Sequence, residues 1–224
     1  WDGRNLYDLY QEAYTPWEWH EPLMARGREL GVDVFSSPFD PTAVDFLDAL
    51  DVPAIKIASF ECVDQPLIRY AAKTNRPLFM STGMATLGEI DAAVNAARES
   101  GDGGVTLLHC ISGYPTPAAD SNLRTIPHMA TAFDCAVGLS DHTMGTAVSV
   151  TAIAMGACVI EKHVTLARAD GGPDGAFSLE PDELKRLVED TRTAWEALGT
   201  VRYSLKGSES GNATMRRSLY AVVD

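Results

Sequence analysis

Two histidines close short apolar segments in the stretch 137–165, which reads VGLSDHT, then an apolar run, then CVIEKHVT. The run between His142 and His163 has room for one helix, so the unit is predicted to be strand–helix–strand with parallel strands. Both imidazoles would then emerge at the carboxyl-terminal edge of the sheet, where α/β folds bind ligands. Alternation puts Ser140 on the face of His142 and Glu161 on the face of His163. This spacing is compatible with half of a divalent-metal site, and equally with two histidines that cap buried strands.

Polar residues also end the other predicted strands, and one lysine lies inside an apolar strand. Lys56 falls within PAIKIAS, and an inward ammonium in a covered barrel strand needs an anionic partner. The phosphate or carboxylate of a substrate is the preferred partner, and an internal ion pair is the alternative. The strand-end hydroxyls of Ser59, Ser81 and Ser140 could bind the same anion or satisfy their own backbone. Glu61 is a candidate acid–base group or an ordinary loop carboxylate.

The composition is that of one globular domain. The 224 residues are 46% hydrophobic and 22% charged, which allows a sizeable core. A formal net charge of −13 disfavours nucleic acid as a partner, although a local cluster of cations could still hold an anionic substrate. No apolar run reaches the roughly 18 residues of a membrane span, so no membrane partner is expected. The four cysteines are scattered without CxxC spacing, which is typical of reduced thiols in a cytoplasmic protein.

A regular alternation of strands and helices positions these residues. Predicted strands end, at steps of roughly 20–30 residues, near Ser37, Ser59, Gly83, Cys110, His142 and His163. Such steps repeat in a TIM barrel, an α/β fold of eight strand–helix units, and six units are counted here. Thr15 is predicted to cap a helix that ends at Gly31, and Thr86 with Glu89 to cap another. A long amphipathic helix begins at Pro181, and a last strand is predicted at SLYAVV.

Six motifs give the chain a resemblance to the sialic acid synthase family. In chain order they are KIASFE, STGMA, LLHCISGYPTP, GLSDHT, IEKHVT and GGPDGAFSLEP. The resemblance implies a TIM-barrel transferase that condenses phosphoenolpyruvate (PEP) with an acylamino sugar to form a nine-carbon 2-keto acid and phosphate. Within the family, LYDLYQEAYTPWEWH and FSSPFDPTAVDFL resemble the branch that makes pseudaminic acid from 2,4-diacetamido-2,4,6-trideoxy-L-altrose. Synthases of N-acetylneuraminic or legionaminic acid are the alternative.

The resemblance also implies roles for individual residues. A divalent metal would be held by His142 and His163, and histidine with oxygen ligands suits Mn²⁺, with Mg²⁺ or Co²⁺ as alternatives. Four residues match the positions that hold PEP, namely Lys56, Ser59, Ser81 and Ser140. Three more match an active-site carboxylate and contacts to PEP or the sugar, namely Glu61, Tyr114 and Asp174. Ser112 stands where sialic acid synthases can carry Asn, so its contact to substrate is expected to differ.

The ends of the chain depart from the family pattern. Two strand–helix units that carry an active-site Glu and a Lys are expected before Trp1, so residues 1–200 are interpreted as barrel strands three to eight. Residues 201–224 are interpreted as a linker toward the family's small antifreeze-like (SAF) domain, which in a homodimer lends an arginine to the partner's site. Two further interpretations stand beside this one. They are a barrel metallohydrolase, although no HxH pair or third carboxylate ligand is visible, and a fragment that binds ligands without turnover.

Overall fold

A curled sheet of five parallel strands forms the centre of the computed structural model, which describes residues 5–216. The strands pair in sequence order, as in a barrel. They are β1 (Ile55–Ile57), β2 (Leu78–Ser81), β3 (Val105–Cys110), β4 (Ala136–Asp141) and β5 (Ile160–Lys162). The expected α/β class and barrel-like order are thereby confirmed.

Eight helices connect and cover the strands of residues 5–216. They are α1 (Leu6–Ala13), α2 (Trp17–Leu30), α3 (Pro41–Ala49), α4 (Gln65–Ala72), α5 (Leu87–Arg98), α6 (Thr125–Phe133), α7 (Ala147–Ala154) and α8 (Pro181–Leu198). Neighbours in this series contact each other, with α3 against α4, α4 against α5 and α7 against α8. None of them combines the length and hydrophobicity that crossing a membrane requires.

The core lies between the outer face of the sheet and these helices. Ile55 and Ile57 of β1 are fully buried there, together with Met80 and Leu107 of the next two strands. Because side chains alternate along a strand, burying both isoleucines outward turns Lys56 toward the concave face. The hydrophobic pattern of β1 therefore decides where the ammonium group lies.

Local signals at the helix ends are confirmed in two of three cases. Gly31 ends α2 in the left-handed conformation, with φ 68°. Thr86 and Glu89 form the predicted capping box at the start of α5. The Thr15 cap is wrong, because α2 begins at Trp17 after Pro16 and no side chain caps it. Pro16 occupies the N-cap position instead, and its ring has no group that could accept a hydrogen bond from the first turn.

The first predicted strand is much shorter than expected. In VDVFSSPF, only Ser36 pairs, through an isolated parallel bridge to Ile55. Pro38 lies two residues after Ser36, and proline lacks the N–H that a longer ladder would use. The strand predicted at SLYAVV lies outside the described residues. The predicted amphipathic helix is present as α8, where Leu187 is buried but the apolar side chains of Val188 and Trp195 are exposed.

Candidate active site

The concave face of the sheet holds a cavity of about 340 Å³ at the carboxyl ends of the strands. Seven of the ten predicted site residues line it, namely Lys56, Ser59, Ser81, Tyr114, Ser140, His142 and His163. Glu61, Ser112 and Asp174 do not line this cavity. Five strands thus deliver their terminal side chains to one place, as the barrel rule predicts. The roles of these residues stay predictions.

Lys56 meets a carboxylate across the cavity. Its ammonium lies 3.7 Å from Glu161 Oε2 and donates to the Ile57 carbonyl at 3.1 Å. Burial lowers the pKa of Lys56, and the charge of Glu161 acts in the opposite direction. Glu161 Oε1 also accepts a 2.6 Å hydrogen bond from the Ser140 hydroxyl. The internal ion pair, which the sequence analysis kept as the alternative, is therefore present, and a substrate anion as a further partner of Lys56 stays a prediction.

Glu161 is the functional candidate that the sequence analysis missed. It was placed on the face of His163 but was given no role. The alternation in EKH, at the end of β5, could have identified Glu161, because it points Glu161 and His163 to the same side. Its contact with Lys56 joins residues 105 positions apart, and no local pattern predicts such a pair.

The two predicted metal ligands lie side by side. The rings of His142 and His163 have centroids 5.2 Å apart. His142 Nδ1 donates to the Ile111 carbonyl at 3.0 Å, and His163 Nδ1 lies 3.5 Å from Asp174 Oδ2. Oxygen partners on Nδ1 are typical of ligating histidines, because they leave Nε2 as the lone-pair nitrogen.

The donor set fits a divalent metal with two protein ligands. Within residues 5–216, no cluster of three His, Cys, Asp or Glu side chains could surround an ion. Water and substrate oxygens would therefore supply the other positions. Burial lowers the pKa of His163, against the charge of Asp174, which favours the neutral ring that binds metal. Burial also acts to lower the pKa of His142, but hydrogen bonds with Cys110 and Ile111 raise it overall.

Cys110 is a second side chain to which the sequence analysis gave no site role. Its sulfur accepts from the Ser59 hydroxyl at 3.4 Å and lies 3.9 Å from His142 Nδ1. Burial acts to raise the pKa of Cys110, but His142 and Ser59 outweigh it and lower the pKa. All four cysteines of the chain are free thiols, as the spacing predicts.

Some buried polar atoms have no hydrogen-bond partner within the described residues. They include Ser81 Oγ, at the cavity wall, and Glu61 Oε2. A buried polar group without a partner is costly, so a ligand that satisfies it gains affinity. Burial also raises the pKa of Glu61, which favours a carboxyl group able to exchange a proton.

An aromatic cluster packs against the histidines. The ring of Tyr114 lies 4.4 Å from that of His142 and 5.6 Å from that of Phe177, between centroids. Phe177 also contacts His163, at 5.1 Å. Burial raises the pKa of Tyr114. Phe177 belongs to the GGPDGAFS segment with Asp174, so this segment supports His163 with both a ring and a carboxylate.

The chain matches the family model described as NeuB over residues 1–203. It belongs to the NeuB family. The expected membership of the sialic acid synthase family is thereby confirmed, and so is the similarity to its pseudaminic acid branch. The chain is 42% identical to pseudaminic acid synthase of Helicobacter pylori over 199 residues, which are 89% of this chain and 58% of that protein.

Two other NeuB relatives extend the comparison. N,N'-diacetyllegionaminic acid synthase of Campylobacter jejuni is 39% identical over 208 residues, covering 92% of this chain and 62% of that protein. The crystal structure of N-acetylneuraminic acid synthetase from Leptospira borgpetersenii, in complex with citrate, superposes with a TM-score of 0.86 at 31% identity. It covers 97% of this chain and 76% of that one. The chain thus spans about 60% of the length of the two synthases matched by sequence.

In this NeuB chain, Gly83 should be required for the packing of two site serines. A Cβ added at Gly83 would lie 2.2 Å from Ser112 Oγ and 2.8 Å from Ser59 Oγ. We expect Gly83→Ala to lower the free energy of unfolding by about 1–3 kcal/mol, measured by chemical denaturation. Gly88→Ala is the matched control, because nothing lies within 4 Å of its added Cβ. A helical position such as Gly88 should lose no stability. Equal stability of the two variants would contradict the expected clash.

Proposed function

We propose that the protein is a synthase that joins PEP to an acylamino sugar, forming a nine-carbon 2-keto acid and releasing phosphate. The observation that carries this proposal is the shared cavity, where a lysine and three serines face two paired imidazoles. Ammonium and hydroxyl donors suit the phosphate and carboxylate of PEP, and paired imidazoles suit a divalent cation. Because the chain spans about 60% of the length of the two synthases matched by sequence, the activity is proposed for the whole protein.

Anion binding would organise the first substrate. Lys56 and the hydroxyls of Ser59, Ser81 and Ser140 would hold PEP so that its methylene carbon faces the sugar aldehyde. PEP would compete with Glu161 for the Lys56 ammonium, since Glu161 Oε2 lies 3.7 Å from Lys56 Nζ. The methylene carbon would attack the aldehyde carbon, forming the new carbon–carbon bond, and the aldehyde oxygen would take up a proton. Water would add at C2 of PEP and lose a proton, and the tetrahedral intermediate would release phosphate as the C2 carbonyl forms. Most of the rate enhancement assigned to these residues is positioning and charge stabilisation.

The remaining residues would bind the cation and the sugar. His142 and His163 would hold Mn²⁺, with Mg²⁺ or Co²⁺ as alternatives, through their Nε2 atoms. A divalent cation supplies Lewis-acid polarisation of the aldehyde. Tyr114 and Asp174 would contact the sugar or PEP, and Glu61 would exchange a proton because burial raises its pKa.

We propose 2,4-diacetamido-2,4,6-trideoxy-L-altrose as the sugar, so that the product is pseudaminic acid. In support, Trp17 and His20 of the TPWEWH stretch line a second cavity of about 560 Å³. That cavity shares Lys56 and Glu161 with the first, so it adjoins the reacting groups. Precursors of legionaminic or N-acetylneuraminic acid are the alternative sugars. We also propose that the whole protein is a cytoplasmic homodimer in which each partner carries an SAF domain.

Phosphate release tests the reaction and the sugar together. With PEP and Mn²⁺, the complete protein should turn over the diacetamido altrose faster than N-acetylmannosamine. Faster turnover of N-acetylmannosamine would show that the proposed sugar is wrong. No phosphate release with any acylamino sugar would overturn the proposed reaction. Hydrolysis of esters or amides without PEP would instead favour the metallohydrolase interpretation.

Lys56 should be the principal charged anchor for PEP. Replacing it with Met removes a charge-assisted contact worth about 2–3 kcal/mol, or roughly 30- to 150-fold in affinity. Binding of PEP to Lys56→Met can be measured by calorimetry. Lys73→Met is the control, since Lys73 is exposed at the end of α4. An unchanged affinity in Lys56→Met would refute the assignment.

The metal assignment predicts a separate binding defect. His163→Ala should abolish Mn²⁺ binding in a calorimetric titration, because His142 alone leaves one protein ligand. His128→Ala serves as control, since His128 is exposed on α6. If His163→Ala binds Mn²⁺ as the wild type does, the metal lies elsewhere.

A further inference from the structure

A buried ion pair joins the carboxyl ends of β4 and β5. Lys162 Nζ lies 2.9 Å from Asp141 Oδ2, and the two side chains are only 3% and 1% exposed. Asp141 also accepts from the Thr143 backbone N–H at 2.8 Å and from the Ser149 hydroxyl at 2.5 Å. Lys162 donates in addition to the Thr143 carbonyl. The proposed reaction gives none of these residues a role.

This ion pair joins the last paired residues of β4 and β5, the two strands that the histidines follow. Asp141 and Lys162 are register partners, and His142 and His163 are the residues that follow them. After this last pair of residues, the backbone carbonyls of the two histidines accept hydrogen bonds from different segments of the chain. The pair is therefore the last ladder link before two imidazoles whose centroids lie 5.2 Å apart.

Stability alone is a weak reason for such a pair. Replacing a buried ion pair by apolar residues of similar volume is often neutral or stabilising. Its geometric effect is different, because charge-assisted hydrogen bonds fix the distance and direction between two backbones. The Ser149 hydroxyl extends the same link to α7.

We propose that the Asp141–Lys162 pair positions His142 and His163 at the separation that a shared divalent cation requires. Neither Asp141 nor Lys162 is itself a ligand in this proposal. The inference rests on the proposed function, because it assumes the metal site. It adds two positioning residues and their support by Ser149 and Thr143.

The test replaces both charges at once in the complete protein. Asp141→Leu combined with Lys162→Met leaves no uncompensated buried charge, so the melting temperature should stay close to that of wild type. Mn²⁺ affinity, measured by calorimetry, should fall about 10- to 100-fold, the usual effect of losing a residue that orients a ligand. In turnover assays kcat should fall, while KM for PEP should hold, because the proposed anchors of PEP are intact.

A second variant covers the case in which the double variant does not fold. Ser149→Ala removes one hydrogen bond to Asp141 and keeps the ion pair, so it should fold and bind Mn²⁺ measurably more weakly. The matched control is Arg69→Met with Glu99→Leu, which removes an exposed ion pair of 2.7 Å between α4 and the end of α5. That control should bind Mn²⁺ with wild-type affinity.

The outcomes separate this inference from the metal site itself. Wild-type Mn²⁺ affinity in a folded double variant would overturn the positioning role, as would wild-type affinity in Ser149→Ala if the double variant fails to fold. If the wild-type protein binds no Mn²⁺, the proposed metal site is wrong, and the inference falls with it. Weaker binding in the variants and unchanged binding in the control would support the positioning role.

Discussion

The contact between Lys56 and Glu161 depends on the curvature of the sheet. The two residues belong to β1 and β5, the outer strands of the described sheet. In a flat sheet, four spacings of about 4.8 Å would separate these strands by roughly 19 Å. Their charged atoms lie 3.7 Å apart, so the sheet must curl until the outer strands face each other. The same curl creates the concave cavity and brings the strand ends together.

A buried ammonium is costly, which makes Lys56 informative about function. Burial lowers its pKa, so the folded chain disfavours the charged form and an anion must offset that effect. Glu161 offsets it in part, yet the Glu161 side chain is 41% exposed and also bonded to Ser140. A cation held at the wall of a cavity by a partly solvated carboxylate can exchange that partner for a substrate anion. Perturbed groups of this kind concentrate at functional sites.

Local sequence rules predicted the positions of the site but not its pairings. The alternation in IKI was sufficient to turn Lys56 inward, and Gly31 or Thr86 with Glu89 marked helix ends, because each signal acts within a few residues. Glu161 was not identified as a partner of Lys56, because it reaches Lys56 only through the curvature of the whole sheet. The segment around Ser36 shows the same limit, since its apolar pattern does not decide how many of its residues pair with β1. Six of the seven cavity residues lie inside a strand or within two residues of its end, where the strand pattern could find them, whereas Tyr114 was predicted only through the resemblance to the family.

The register of β5 decides which of its side chains reach the cavity. It has three residues, of which only Ile160 is apolar, so hydrophobic burial specifies its register only weakly. Polar contacts act on both faces instead, with Glu161 bonded to Ser140 on the concave side and Lys162 bonded to Asp141 on the other. A slip of one residue would exchange these faces, break both contacts and turn His163 away from His142. These polar contacts therefore fix the register of β5, and that register places both Glu161, the partner of Lys56, and the His163 imidazole in the cavity.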